Sequence, residues 1–184
     1  DVILGWHQVT NKSANAGLEN LIKNKEQLTV VSPTWFRVNT PEAEEPLISL
    51  ADAAYVETAK AHGLEVWGLV DNFTIAGIEG FDATANSFAV LSSTKEREEL
   101  VNALVAEAIR FDLDGLNIDF EMLSLQTGPH FIHFLRELSV KCRANGLVLS
   151  VDNYVPSAHA AYYDWEAQGE VVDYVVIMAY DEHY

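Results

Sequence analysis

Asp114-Gly-Leu-Asn-Ile-Asp-Phe-Glu121 is a short apolar run into which three carboxylates are threaded. Read as a β-strand, it alternates its side chains between two faces. Asn117, Asp119 and Glu121 then share one face, and Leu116, Ile118 and Phe120 the other. Two acids stand side by side near the strand's C-terminal end. A carboxylate on a buried strand is costly unless it is paired, hydrogen-bonded or functional, and that cost marks the pair as candidate chemistry. Asp114 has the opposite parity and is set off by Gly115, so it is expected to shape the start of the strand and not the chemistry.

Composition narrows the setting. With 184 residues, 49% of them hydrophobic, the chain can bury one sizeable core, and a single domain is expected. The longest apolar run, Tyr174-Val-Val-Ile-Met-Ala-Tyr180, is of strand length and far short of the roughly 20 residues a membrane span needs. Formal charge is −17, from 28 acidic against 11 basic residues, which disfavours nucleic acid as a partner and suits a neutral ligand. The chain opens on Asp1-Val-Ile-Leu4 with neither a basic nor an apolar leader region, so any export signal is expected to have been removed or to lie outside this sequence. Cys142 has no cysteine to pair with and is expected to be an inert, at least half-buried thiol.

Working outward from the motif, apolar patterning predicts strands over residues 2–6, 28–31, 64–70, 147–151 and 171–180. Helices are predicted over 17–25, 48–62, 94–111, 128–145 and 162–168, the third opened by Ser93 or Thr94 with acids in its first turn. Pro33 is expected to end the second strand's ladder and to deliver Trp35 and Phe36 to its exit. Residues 71–92 read as a long connection without periodicity, and a connection that long is usually functional. Strands alternating with helices or loops argue for a parallel α/β architecture. Polar and aromatic residues gather at strand exits: Trp35 and Phe36, Asp71 and Asn72, Asp119 and Glu121, Asp152 to Tyr154, Tyr180 and Asp181. A TIM barrel keeps its active site on such a ring. A closed (β/α)8 barrel needs eight strands and these residues supply six, so residues 1–184 are expected to form a partial barrel lacking strands seven and eight.

These residues resemble glycoside hydrolase family 18. The family's Asp-Gly-x-Asp-x-Asp-x-Glu strand is matched by Asp114-Gly115, Asp119 and Glu121, with Asn117 in place of the middle Asp, and its Met-x-Tyr-Asp signature by Met178-Ala-Tyr-Asp181. Ser32-Pro-Thr-Trp-Phe36, Asn117 and Tyr180-Asp-Glu-His183 look most like the spore-cortex-lytic and cell-wall N-acetylglucosaminidase branch. The resemblance implies a TIM barrel that hydrolyses β-1,4 bonds at N-acetylglucosamine by a retaining, substrate-assisted route. It implies Glu121 as proton donor and Asp119 as the group that holds the acetamido N–H. Tyr180 would donate to the acetamido carbonyl, with Asp181 and Met178 near the same sugar. The implied partner is an N-acetylglucosamine-containing polysaccharide outside the cell, in wall or spore envelope, and no cofactor or metal is called for. Asn117 is a candidate substrate-binding residue and can hydrogen-bond Asp119.

Other readings stand beside these. Trp35 and Phe36 either stack on sugar or fill the layer between strand and helix. Trp6 and Trp67 are expected in the core, and His130 and His133 on a solvated helix face. Asp71, Asn72, Asn153 and Tyr154 are cleft candidates by position alone. A chitinase, a sugar-binding relative that does not cleave, and a hydrolase using Asp114, Asp119 and Glu121 as metal ligands are the competing functions.

Overall fold

A computed structural model of the chain describes residues 1–24, 27–154 and 165–178. Six strands run parallel in the order β1 (Leu4–His7), β2 (Val30–Pro33), β5 (Glu65–Asp71), β6 (Gly115–Asp119), β7 (Val148–Tyr154) and β8 (Tyr174–Met178). Two further strands were not expected. β3 (Phe36–Val38) pairs in parallel with the end of β5, and β4 (Leu47–Ser49) pairs antiparallel with β3.

The sheet is curled. On a flat sheet β1 and β6 lie three strand spacings apart, roughly 14 Å. Yet Trp6 Nε1 of β1 donates to Asn117 Oδ1 of β6 at 3.2 Å. Similarly, the rings of Trp67 on β5 and Tyr174 on β8 have centroids 5.4 Å apart. The concave face carries Trp6, Ser32, Asp71, Asn117, Asp119 and Asp152. The convex face carries Val31, Val66, Leu116, Ile118, Leu149 and Val151, all buried. It packs under helices α4 (Thr94–Arg110) and α5 (Gly128–Ala144), which contribute Leu100, Leu104, Phe134, Leu135 and Leu138 to one core. Cys142, on α5, is buried there as a free thiol whose pKa is pushed up to about 12 by burial and by Asp173.

Where helices begin is legible from caps. Ser93 accepts from Glu96 N to open α4, and Asp52 accepts from Tyr55 N at 2.8 Å to open α2 (Ala53–Ala61). The expectation of one helix over 48–62 needs correction: Ile48 and Ser49 belong to β4, and the helix waits for the Asp52 cap. Residues 71–92 also hold a helix, α3 (Ala83–Leu91), capped by Asp82. Its small residues weaken the apolar periodicity that would have revealed it. A 3-10 turn (Lys12–Gly17) precedes α1 (Leu18–Asn24), and α6 (Trp165–Gly169) precedes β8; the start of the helix expected at 162–168 lies outside the described residues. Among the described residues no helix is long and apolar enough to cross a membrane.

Candidate active site

The ladder sets the acids. Asp71 of β5 is in register with Asp119 of β6. Ile118 is in register with Val151, so Asp152 of β7 stands one step on, flanking Asp119 from the other side. Three carboxylates thus line one edge of the concave face, and Glu121 joins them from just beyond β6. Phe120 makes that possible. Its ring is buried against Phe131 and Phe134 of α5, centroids 5.5 Å from each, which pins residue 120 outward and keeps Glu121 on the side of Asp119.

The four acids are handled differently. Asp71 is buried but takes a two-point ion pair from Arg37, Nε to Oδ1 at 2.7 Å and Nη2 to Oδ2 at 3.2 Å. Arg37 reaches it because β3 docks on β5, and it is further tied to Thr74 O. Asp152, 1% exposed, accepts from Asn117 Nδ2 at 2.8 Å. Burial pushes its pKa up to about 7 despite the hydrogen bond from Asn117, which favours the anion. Asp119, 8% exposed, is pushed further, to about 8, by burial first and then by the charges of Asp152, Glu121 and Asp71. Its carboxyl hydrogen-bonds Glu121, which is itself raised above the ordinary carboxylate range by burial. Asp119 Oδ1 and Asp152 Oδ2 are buried without a hydrogen-bond partner. An acid held protonated near neutral pH beside a half-buried glutamate is suited to moving one proton.

Residues 73–184, which contain this pair, match the family described as Glycosyl hydrolases family 18. The chain belongs to that family. Among relatives, it is 32% identical over 142 residues to YdhD of Bacillus subtilis, named as a sporulation-specific glycosylase, covering 73% of this chain and 32% of YdhD. The crystal structure of YdhD superposes with a TM-score of 0.73 at 29% identity, covering 83% of this chain and 50% of that one. The cortical fragment-lytic enzyme of Bacillus subtilis is 30% identical over 102 residues, 52% of this chain and 23% of that protein. A chitinase from Chromobacterium violaceum matches the whole chain over 57% of its own, with a TM-score of 0.78 at 24% identity. The chain therefore spans about a third or less of the length of these two curated relatives, and its curled parallel sheet is part of the family's TIM barrel.

Against the family-18 expectations, Asp119 and Glu121 come together at the sheet's C-terminal edge. Asp114 does not join them. It sits at the other end of β6, accepting from Val66 N at 2.8 Å, so it shapes the strand's start. Asn117 needs correction. It is fully buried, its Nδ2 serves Ser150 (2.8 Å) and Asp152, and its Oδ1 accepts from Trp6 and Ser32. Its amide is thus committed to Asp152 and not to Asp119, and no surface is left for sugar. Trp35 and Phe36 are each 1% exposed. Trp35 donates to Asn15 Oδ1 at 2.7 Å and meets Tyr55 edge-on. Phe36 fills the space that Gly68 leaves on the convex face, where a Cβ would come 2.5 Å from its ring. Both rings are packing, and the sugar-stacking alternative is dropped.

Asn153 is also corrected: it has the parity opposite to Asp152 and donates to Gln168 of α6 at 2.6 Å, away from the cleft. Asn72 is buried and turned to Glu121's backbone, not to the cleft. Trp6, expected in the core, is 42% exposed on the concave face; Trp67 is buried as expected. His130 is half-buried and His133 exposed on α5. Tyr180 and Asp181 lie outside the described residues, as do the side chains of Tyr154 and Met178. Asp152 is the acid sequence reading missed as a site residue. Its shared parity with Ser150, on a strand whose exit is polar, was the available signal. Of the four acids, Asp71 alone lines a cleft of about 370 Å³, together with Thr34, Arg37, Phe73, Ile75 and the nearly buried Trp35 and Phe36.

Proposed function

We propose that this chain carries the acid-bearing side of a glycosidase site that cleaves β-1,4 bonds at N-acetylglucosamine in cell-wall or spore-cortex peptidoglycan, acting at the wall or spore envelope. The observation that carries the reading is the Asp119 and Glu121 pair, two hydrogen-bonded carboxyls at the barrel edge, both held toward the protonated form. YdhD, named for sporulation, and the cortical fragment-lytic enzyme support this choice of polymer over chitin. The half-length match to the YdhD chain supports residues 1–184 as six units of an eight-unit barrel.

In this mechanism the pair enters the neutral range with a proton between them. An acetamido N–H arriving at Asp119 favours its anion and drives the proton onto Glu121. Glu121 protonates the glycosidic oxygen as the bond from that oxygen to the anomeric carbon breaks, its electron pair leaving with the oxygen. The substrate's acetamido oxygen forms the new bond to the anomeric carbon, and ionised Asp119 stabilises the resulting oxazolinium-like cation. Glu121, now anionic, takes a proton from the water that opens it, and configuration is retained. By motif match, Tyr180 donates to the acetamido carbonyl and Asp181 and Met178 contact the same sugar.

The test is Glu121→Gln in the full-length protein, assayed by release of reducing ends from purified cortex peptidoglycan and from chitooligosaccharides. Wild type is expected to prefer peptidoglycan, and the variant to lose about 10²–10⁴-fold in turnover. Undiminished turnover removes the acid assignment, and preference for chitooligosaccharides transfers the substrate to chitin.

A further inference from the structure

We infer that Asn72 is the positioning residue that sets Glu121 for proton transfer, its side-chain amide replacing the two backbone bonds that Glu121 loses where β6 ends. This rests on the role of Glu121 proposed above.

The ladder of β6 stops at Asp119, two residues short of the glutamate. A residue beyond the end of a strand has lost its interstrand partners, and its backbone groups must be satisfied in another way. Here one side chain does it. Asn72 Oδ1 accepts from Glu121 N at 2.9 Å, and Asn72 Nδ2 donates to Glu121 O at 2.7 Å. The amide acts as a surrogate peptide from the adjoining strand, one residue past Asp71, which is itself in register with Asp119. The second Nδ2 hydrogen goes to Ser87 Oγ at 2.9 Å, and Ser87 Oγ donates to Ala83 O at 2.8 Å.

The chain then turns through Met122, whose φ is +53°, a conformation non-glycine residues rarely adopt. Thr84 Oγ1 holds Met122 O at 2.8 Å. Helix α3 therefore supports Glu121 from both sides of the turn, through Ser87 to Asn72 and through Thr84 to Met122. A single residue is clamped at both backbone groups, and it is the one that carries the carboxyl. Misplacement of a catalytic group by about 1 Å costs roughly 10²-fold in rate.

The experiment uses the full-length protein with soluble peptidoglycan fragments, measuring kcat, KM and the pH profile of Asn72→Ala, Asn72→Asp, Ser87→Ala and Glu121→Gln. Asn72→Ala is expected to lower kcat about 10- to 100-fold with KM changed less than about threefold. Ser87→Ala, which leaves the clamp but frees its far end, is expected to lose a few-fold. Asn72→Asp keeps an acceptor for Glu121 N but brings an anion near the acid, so the basic limb of kcat/KM is expected to move to higher pH. Circular dichroism melts give the folded fraction of each variant. A kcat for Asn72→Ala within twofold of wild type, a loss confined to KM, or losses in both Asn72 variants that track the unfolded fraction would overturn the inference. If Glu121→Gln is inactive and Asn72→Ala unimpaired, this inference alone falls; if Glu121→Gln is fully active, the acid assignment falls first and takes the inference with it.

Discussion

Asn117 Nδ2 donates to Asp152 Oδ1 at 2.8 Å across the boundary between β6 and β7, so the amide that replaces an acid within the motif strand is the partner of an acid from the next strand. The carboxyl count around Asp119 is restored by a neighbour in space.

That pairing predicts the cost of Asn117→Ala. It would leave buried Asp152, Ser150 and Ser32 and the half-exposed Trp6 indole each short of one bond, at about 1–3 kcal/mol for an orphaned buried group. A loss of about 3 kcal/mol is expected in urea melts. Asn117→Asp would set two carboxyls face to face on a buried stretch of the sheet, tolerable only when one is protonated. Its loss should be smallest near pH 5 and largest near pH 8, and a loss independent of pH would contradict the pairing.

The acid cluster also fixes a sign for stability against pH. Asp119 rises from 3.8 to about 8 and Asp152 from 3.8 to about 7 on folding. The folded protein then binds more protons than the unfolded chain between those limits, and unfolding free energy falls as pH rises through the interval. The stabilisation is full below the ordinary carboxylate value and lost above about pH 8. Calorimetry should find the thermal midpoint falling from pH 5 to 8.5, with a shallower slope in Asp119→Asn. A midpoint that climbs across that range would mean that these acids are not held protonated.

Arg37 is the cation the cluster depends on. Its side chain is 37% exposed against 5% for Asp71. Arg37→Met should therefore cost about 1–3 kcal/mol, below the figure for a fully buried pair because solvent screens the guanidinium. Denaturant midpoints measure it, and an unchanged midpoint would assign the ion pair no role in holding Asp71.

Gly115 tests the packing beneath the motif. A Cβ there would lie 2.7 Å from Val148 O and 3.0 Å from the Trp67 ring, and neither a ladder carbonyl nor a buried indole can give way cheaply. Gly115→Ala should destabilise by about 1–3 kcal/mol. Equal stability in wild type and variant would show that β6 and β7 can move apart.

How much was legible in the sequence follows from what each feature depends on. The motif strand, the face shared by Asp119 and Glu121, and the caps at Asp52 and Ser93 were legible because each depends on residues a few positions apart, with strand parity and first-turn chemistry as the only rules needed. The β3 and β4 hairpin was not, since its three-residue strands carry too little pattern. Trp35, Phe36 and Asn153 sit at strand exits yet are spent on packing and hydrogen bonds within the fold, because position at an exit does not say which distant element will bury a side chain.

The sequence by itself determined a parallel α/β chain organised on Asp114 to Glu121, with two acids on one face of the motif strand, and family membership followed from the same residues. Only the tertiary structure decided what surrounds those acids. Asp152 flanks Asp119 by register across 33 residues of chain, Arg37 reaches Asp71 through an inserted hairpin, and Asn72 grips Glu121 from 49 residues away. The physical reason is the curl of the sheet. Local rules set which way a side chain points along its own strand, while strand register and curvature, which come from packing the convex face under α4 and α5, choose its neighbours.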